Sequence, residues 1–433
     1  MITRNRIEAL LDSTSVAEIN GDNECGIICG YGTISGRPVC IYSQDVEVMN
    51  GVLTRENLQK INKVFDIAIK TGVPIISIWE NAKIKLDEGI GILKELNNLL
   101  KKHVDFSGVI PQISIVCGEC VGTLATLVYL NDFVFTIDNE TKISSSVLTE
   151  DLANENKNAH FLLDSEEMAI SKVKDLFEFI PDNNLTDSDV FESNDLNKLT
   201  SNISEILNDA QYDVKDIIKD VSDINSFFEV SEENANNIVS GFIRLGGRSV
   251  GVVANCINSK KMLDTNAFNK AARFVRFCDA FNMPVITFID TYGIIDDNMI
   301  MKHGAKLFYA YAEATVPKVN VILKNAFGGA YLLMGGMSAD ISYALNSAKI
   351  STLNPASMAV ILNSDKINNN TEKDSIIEDY KDNETLPITA LKQNIIDDII
   401  TPDTVRQKLI SSIYLFTSKR ENKPVKKHGN IPL

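Results

Sequence analysis

The chain has 433 residues, more than one hydrophobic core usually organises, so two domains of roughly 200 residues each are expected. A content of 44% hydrophobic and 23% charged residues excludes wholesale disorder. Lys+Arg 42 against Asp+Glu 58 leave a formal net charge of −16, which excludes a general affinity for nucleic acid or anionic membrane; a polyanionic ligand needs a locally basic pocket.

The N-terminus runs into a polar helix instead of an apolar signal core, and the seven cysteines are odd in number and scattered. Reduced thiols in a cytoplasm are expected. The pairs Cys25-x3-Cys29 and Cys117-x2-Cys120 lie too far apart for a compact zinc ribbon and have no histidine beside them, so buried thiols and no metal site are expected.

In chain order, the first pattern is Gly30-Tyr-Gly-Thr-Ile-Ser-Gly36-Arg37-Pro-Val-Cys-Ile-Tyr. It is laid over again as Gly241-Phe-Ile-Arg-Leu-Gly-Gly247-Arg248-Ser-Val-Gly-Val-Val, with glycines and arginine in register. In the first copy a helix follows over 56–71, its face formed by Leu58, Ile61, Val64, Phe65 and Ala68. In the second a helix over 267–280 does the same with Ala271, Phe274, Val275 and Cys278. Each helix leads into a short apolar run after a proline, Val73 to Trp79 and Met283 to Ile289, as covered parallel strands require.

The match continues from Ile110 to Val116 and from Val316 to Ile322, after which Gly122 and Gly328 open the next helix. The stretch from Ile110 to Leu130 is apolar but carries Gln112, Glu119 and hydroxyls, so it reads as buried strand and helix and not as a membrane span. Two homologous α/β domains in tandem follow, over 1–190 and 206–433. The Asn/Asp/Ser-rich segment from Pro181 to about Ile206 is a solvated connection, and the polar insertion 363–384 a mobile surface loop.

The sequence offers four histidines and no Gly-x-Ser-x-Gly, His-Glu-x-x-His or Walker phosphate loop, so a side-chain nucleophile is not expected. His103 and His160 need no role, and His303, at a helix start beside a glycine, is more often structural than catalytic. The informative segment is Lys324-Asn-Ala-Phe327-Gly328-Gly329-Ala330-Tyr331. A strand entering a helix leaves amides unpaired, and glycines let an anionic oxygen reach them. Such an oxyanion hole contributes about 3–4 kcal/mol per donor in acyl chemistry. On the Gly-Gly-Ala signal alone, close helix–strand packing is the simpler reading.

These runs, together with 264–280, 287–293, 302–318 and the ending Lys426-Lys-His-Gly-Asn-Ile-Pro-Leu433, strongly resemble the carboxyltransferase subunits of biotin-dependent acyl-CoA carboxylases. Propionyl-CoA carboxylase beta chains and the carboxyltransferase subunits of methylmalonyl-CoA decarboxylases are the types in question. The likeness spans nearly the whole chain, from Arg4-Asn-Arg-Ile-Glu-Ala-Leu-Leu11 onward. It implies a tandem crotonase fold, homo-oligomers that are usually hexamers, and a separate biotin carboxylase and biotin carboxyl carrier protein as partners. The implied reaction moves a carboxyl group between carboxybiotin and a short-chain acyl-CoA.

By the same resemblance, Gly329 and Ala330 hold the biotin ureido oxygen, flanked by Phe327, Gly328 and Tyr331. Leu332 stands where side-chain size gates the acyl group. Gly293 lies in the second-half loop Asp290-Thr-Tyr-Gly293-Ile, where the family has Pro-Gly-Phe, and Asp296-Asp297-Asn298 replaces a Gln-Glu followed by glycines. Ala82 and Lys83 stand where two glycines receive the acyl thioester oxygen. The loop from Gly118 to Leu124 has bulkier residues than its family counterpart, and 148–159 is shortened. Three readings follow: an active carboxyltransferase with retuned loops, a catalytically degenerate paralogue that serves assembly or regulation, and, ranked last, a thioester hydrolase.

Overall fold

The computed structural model describes residues 3–19, 25–145, 159–193, 195–255, 262–367 and 370–432. The chain forms two compact units, Met1–Asp189 and Val190–Leu433. The first contains strands β1 (Ala17–Glu18), β2 (Ile27–Ile34), β3 (Arg37–Gln44), β4 (Ile75–Ala82), β5 (Gln112–Val121), β6 (Phe133–Ile137), β7 (Lys142–Ser144) and β8 (Phe161–Leu163). Its helices are α1 (Thr3–Leu10), α2 (Arg55–Thr71), α3 (Ile92–Phe106), α4 (Thr123–Leu130) and α5 (Glu166–Phe177).

The second unit opens with helices α6 (Ile203–Asn208) and α7 (Val214–Val221). It then has strands β9 (Phe228–Val230), β10 (Ile238–Leu245), β11 (Arg248–Asn255), β12 (Met262–Leu263), β13 (Val285–Thr291), β14 (Gly293–Ile294), β15 (Lys318–Phe327), β16 (Ile341–Leu345), β17 (Lys349–Ser351) and β18 (Asp398–Ile400). Among them run α8 (Thr265–Ala280), α9 (Ile300–Glu313), α10 (Gly328–Leu333), α11 (Pro355–Leu362), α12 (Asn370–Asn383) and α13 (Pro387–Lys392), and α14 (Val405–Phe416) follows.

The two main sheets carry the duplication. One runs β1-β2-β3-β4-β5-β6-β8 with β7 on β5, and the other, in mirrored numbering, β9-β10-β11-β13-β15-β16-β18 with β17 on β15. In each, an antiparallel hairpin leads into parallel strands joined by helices. This is the pair of homologous α/β domains that the repeat implies, in the tandem crotonase-like form that the family resemblance implies.

The hairpins explain why glycines and arginine repeat in register. Ser35 and Gly36 sit at φ 52° and 78°, Gly246 and Gly247 at 61° and 79°, the paired positive angles a two-residue hairpin turn of matching twist requires. Arg37 then lies over the Phe177 ring at the end of α5, 5.6 Å from its centroid. Arg248 lies over Tyr414, near the end of α14, at 5.2 Å. One cation over one aromatic ring thus ties each hairpin to the closing helix of its unit.

Helix α2 starts at a reciprocal cap: Thr54 Oγ1 accepts the Asn57 N–H while Asn57 Oδ1 accepts the Thr54 N–H. It stops at Gly72, at φ 67°. Its buried face is Leu58, Ile61, Val64, Phe65 and Ala68, and that of α8 includes Ala271, Phe274, Val275 and Cys278. Both are the faces that the 3.6-residue period marks.

The connecting segment is exposed over most of its length but anchored at Phe191. Its N–H donates to Gly247 O (2.9 Å), and the Arg244 guanidinium stacks 3.6 Å from its ring centroid. The insertion expected as a mobile loop is in large part α12, a helix with no buried residue. Its C-terminal turn is held by Lys349, whose Nζ donates to Lys381 O at 2.9 Å, a cation at the negative end of the helix. With only Ile376, Ile377 and Tyr380 apolar, the helix leaves too little apolar period to read, which is why the sequence suggested loop. None of the described helices is long and apolar enough to cross a membrane.

Candidate active site

The chemistry-bearing residues gather where the parallel strands end and the following helices begin, the place where open α/β sheets bind ligands. Strands β4 and β13 both run on past their apolar cores through a register shift, between Trp79 and Asn81 and between Ile289 and Thr291. An amide side chain at the end of the preceding strand holds each irregularity. Gln44 Oε1 accepts the Glu80 N–H at 3.0 Å, and Asn255 Oδ1 accepts the Asp290 N–H at 3.4 Å. Gly118 is required here, since a Cβ on it would lie 2.1 Å from Glu80 O.

The carboxylates at these strand ends are already committed. Glu80 pairs with the buried Arg6, which also binds Glu166 at the start of α5 through Nε (3.0 Å) and Nη2 (2.6 Å). Asp290 accepts from Tyr212 Oη (2.8 Å), the Asn325 N–H (3.1 Å) and Asn325 Nδ2 (2.7 Å). They brace the strand ends and are not free bases.

Each unit then presents one helix mouth. In the second, Gly328 turns at φ 55°, Gly329 is exposed and Ala330 is buried. In the first, Gly122 turns at φ 63°, Thr123 is exposed and Leu124 is buried. The amides of Gly329, Ala330, Thr123 and Leu124 find no acceptor among the described residues, as first-turn amides have no carbonyl upstream within the helix. Gly328 must be glycine twice over, because a Cβ there would also meet Thr352 O at 3.0 Å.

Around the second mouth the structure brings together Phe327, buried with its ring 5.9 Å from that of Tyr292, and Gly293, at φ 154° with open space about it. Leu332 is exposed beside them. Tyr331 points the other way: its ring is buried, and its hydroxyl donates to Gly336 O (3.1 Å), so the side chain supports the turn behind α10.

The first unit differs from the sequence expectation. Neither Ala82 nor Lys83 has a positive φ, so the loss of glycine costs no backbone strain. Ala82 is fully buried, however, paired in the ladder with Cys120, and the Lys83 N–H donates to Asn81 O at 2.9 Å. The Lys83 ammonium pairs instead with the Glu119 carboxylate, which this hydrogen bond holds below its ordinary pKa. Sequence reasoning left Thr123 and Leu124 out of the site. The signal was present in the Gly122–Gly328 register, which places them opposite Gly329 and Ala330.

Among the other candidates, His303 bonds Asn269 Oδ1 through Nδ1 (2.7 Å), on the first turns of α9. The six described cysteines are buried, and burial pushes the Cys29 and Cys117 thiols up to about 12. Of the shortened stretch 148–159, all but Ala159 lies outside the described residues.

Helix mouths with unpaired amides, one in each unit of a duplicated crotonase-like scaffold, define a class of proteins whose main-chain donors can hold an anionic oxygen. The model of the carboxyl transferase domain matches residues 3–147 and 149–431, and the chain belongs to that family. It is 35% identical to the propionyl-CoA carboxylase carboxyltransferase subunit of Haloferax mediterranei, over all of this chain and 93% of that one. It is 33% identical to methylmalonyl-CoA decarboxylase subunit alpha of Veillonella parvula, over all of this chain and 94% of that one. The solved transcarboxylase 12S hexamer with methylmalonyl-coenzyme A and methylmalonic acid bound superposes with a TM-score of 0.94 at 32% identity, over 100% of this chain and 93% of that one. No comparison favours a degenerate paralogue.

Proposed function

We propose that this carboxyltransferase moves a carboxyl group between carboxybiotin and a short-chain acyl-CoA of the propionyl/methylmalonyl type. The observation that carries the reading is the pair of helix mouths whose amides find no acceptor among the described residues, one per unit, on a scaffold matched end to end by carboxyltransferases. Such a transfer would build negative charge on two oxygens, one on the carboxyl carrier and one on the thioester, and each needs preorganised donors that cost no reorganisation. Gly329 and Ala330 would hold biotin's ureido oxygen, with Phe327, Gly328 and Gly293 shaping the approach. Biotin, arriving on its carrier, supplies the transferable carboxyl group.

At the first mouth the Thr123 and Leu124 amides receive the thioester oxygen, in place of the buried Ala82 and the bonded Lys83 amide. Leu332 limits the acyl chain. Partners follow from the same reading: a biotin carboxyl carrier, a biotin carboxylase and further copies of this chain in a hexamer, within the cytoplasm. The purified chain, a biotinylated carrier and methylmalonyl-CoA labelled in its free carboxylate test the reading. Label is expected on the carrier only when chain and thioester are both present. Release of free CoA without labelled carrier would replace the reading by thioester hydrolysis, and no reaction at all would refute it.

A further inference from the structure

The two units differ at one set of matched positions. The Leu53–Ile84 bridge of the first corresponds to the Leu263–Ile294 pairing of the second, so Lys83 stands where Gly293 does. The Glu119–Lys142 ladder pair corresponds to Asn325–Lys349. The first unit therefore has Lys-Glu-Lys where the second has Gly-Asn-Lys.

Asn81, Glu119 and Lys142 are in register on three adjacent parallel strands, so they share one sheet face, and Lys83, just past β4, reaches that face through its bond to Glu119. Lys83 and Glu119 form an ion pair, with side chains 30% and 44% exposed. The Lys142 ammonium has no hydrogen bond or ion pair among the described residues, although its charge is felt at Glu119. Its counterpart Lys349 is committed to Lys381 O and Asp382 on α12. In a chain of net charge −16, Lys83, Glu119 and Lys142 thus set two cations beside one anion near the Gly122 mouth.

We propose that Lys83 and Lys142 bind a carboxylate on the acyl group of the CoA thioester, Lys83 exchanging its bond to Glu119 for the substrate's. This rests on the first mouth being the acyl-CoA site. Glu119 acts as a placeholder that keeps the Lys83 ammonium paired and oriented in the empty site, and an acyl group with no charge leaves that pair intact. A charge-assisted hydrogen bond of this kind corresponds to about a tenfold or greater preference.

Calorimetry with propionyl-CoA, methylmalonyl-CoA and succinyl-CoA, on the wild-type chain, Lys83→Met and Lys142→Met, tests this. One of the two carboxylated thioesters is expected to bind at least about tenfold more tightly than propionyl-CoA, and the identity of that one says whether the carboxylate lies on the α-carbon or at the chain end. Each Lys→Met change is expected to bring that ratio toward one. Equal wild-type affinities would overturn the proposal and leave the functional reading standing. A variant that weakens all three thioesters alike would also overturn it, since the ammonium would then be reading the CoA phosphates. Failure of all three to bind the wild-type chain would instead remove the functional reading on which the proposal rests.

Discussion

At the scale of single residues, the site depends on where a glycine is compulsory. Gly328 combines a left-handed φ of 55° with a carbonyl 3.0 Å from any added Cβ, whereas the nearest atom to a Cβ on Gly329 is Ile294 Cδ1 at 3.8 Å, and its φ is not positive. The Gly328→Ala variant is therefore expected to lose about 1–2 kcal/mol of stability and to depress carboxyl transfer by shifting the mouth. Gly329→Ala is expected to stay within about 0.5 kcal/mol of the parent. Urea unfolding of both variants checks the contrast; equal losses would show that the left-handed turn is not a constraint. This difference is not visible in a Gly-Gly pair, because the sequence does not say which of the two turns the chain. Likewise the sequence placed Ala82 and Lys83 where two glycines receive the thioester oxygen, whereas burial and an amide bond to Asn81 decide their availability.

At the scale of elements, local periodicity carried most of the fold. The faces of α2 and α8 and the cores of β4, β5, β13 and β15 were legible because apolar spacing and burial coincide there. What local pattern could not show was polar residues inside, as on α3. His103 is wholly buried on that helix, its ring 4.4 Å from that of Phe65 and its Nδ1 bonded to Leu99 O at 2.9 Å. Burial pushes its pKa down to about 4 from an ordinary 6.5, so the folded state holds it neutral and the unfolded chain takes up its proton first. Its contribution is complete above about pH 6.5 and is lost as pH falls toward about 4, worth about 3 kcal/mol over that window. Urea midpoints of the parent are expected to fall more steeply across that range than those of His103→Phe. Parallel curves would mean that His103 protonates in place.

At the scale of the whole molecule, duplication was the most legible feature. The repeated Gly-Arg register, Gly36-Arg37 and Gly247-Arg248, was visible in the sequence, and the structure gives it a cause in paired hairpin turns and in Arg37 and Arg248 over aromatic rings. The same duplication exposes where the halves have diverged, at Thr123 and Leu124 against Gly329 and Ala330, and at Lys83 and Glu119 against Gly293 and Asn325. Both mouths keep amides without acceptors among the described residues through this divergence, because a main-chain donor survives a change of side chain wherever φ permits it. The reading of the sheet-end site is tested most directly by a crystal structure of the chain with a CoA thioester bound. The thioester oxygen is expected about 2.7–3.1 Å from the amide nitrogens of Thr123 and Leu124. An ordered thioester whose oxygen faces side chains or solvent, with those amides unoccupied, would contradict it.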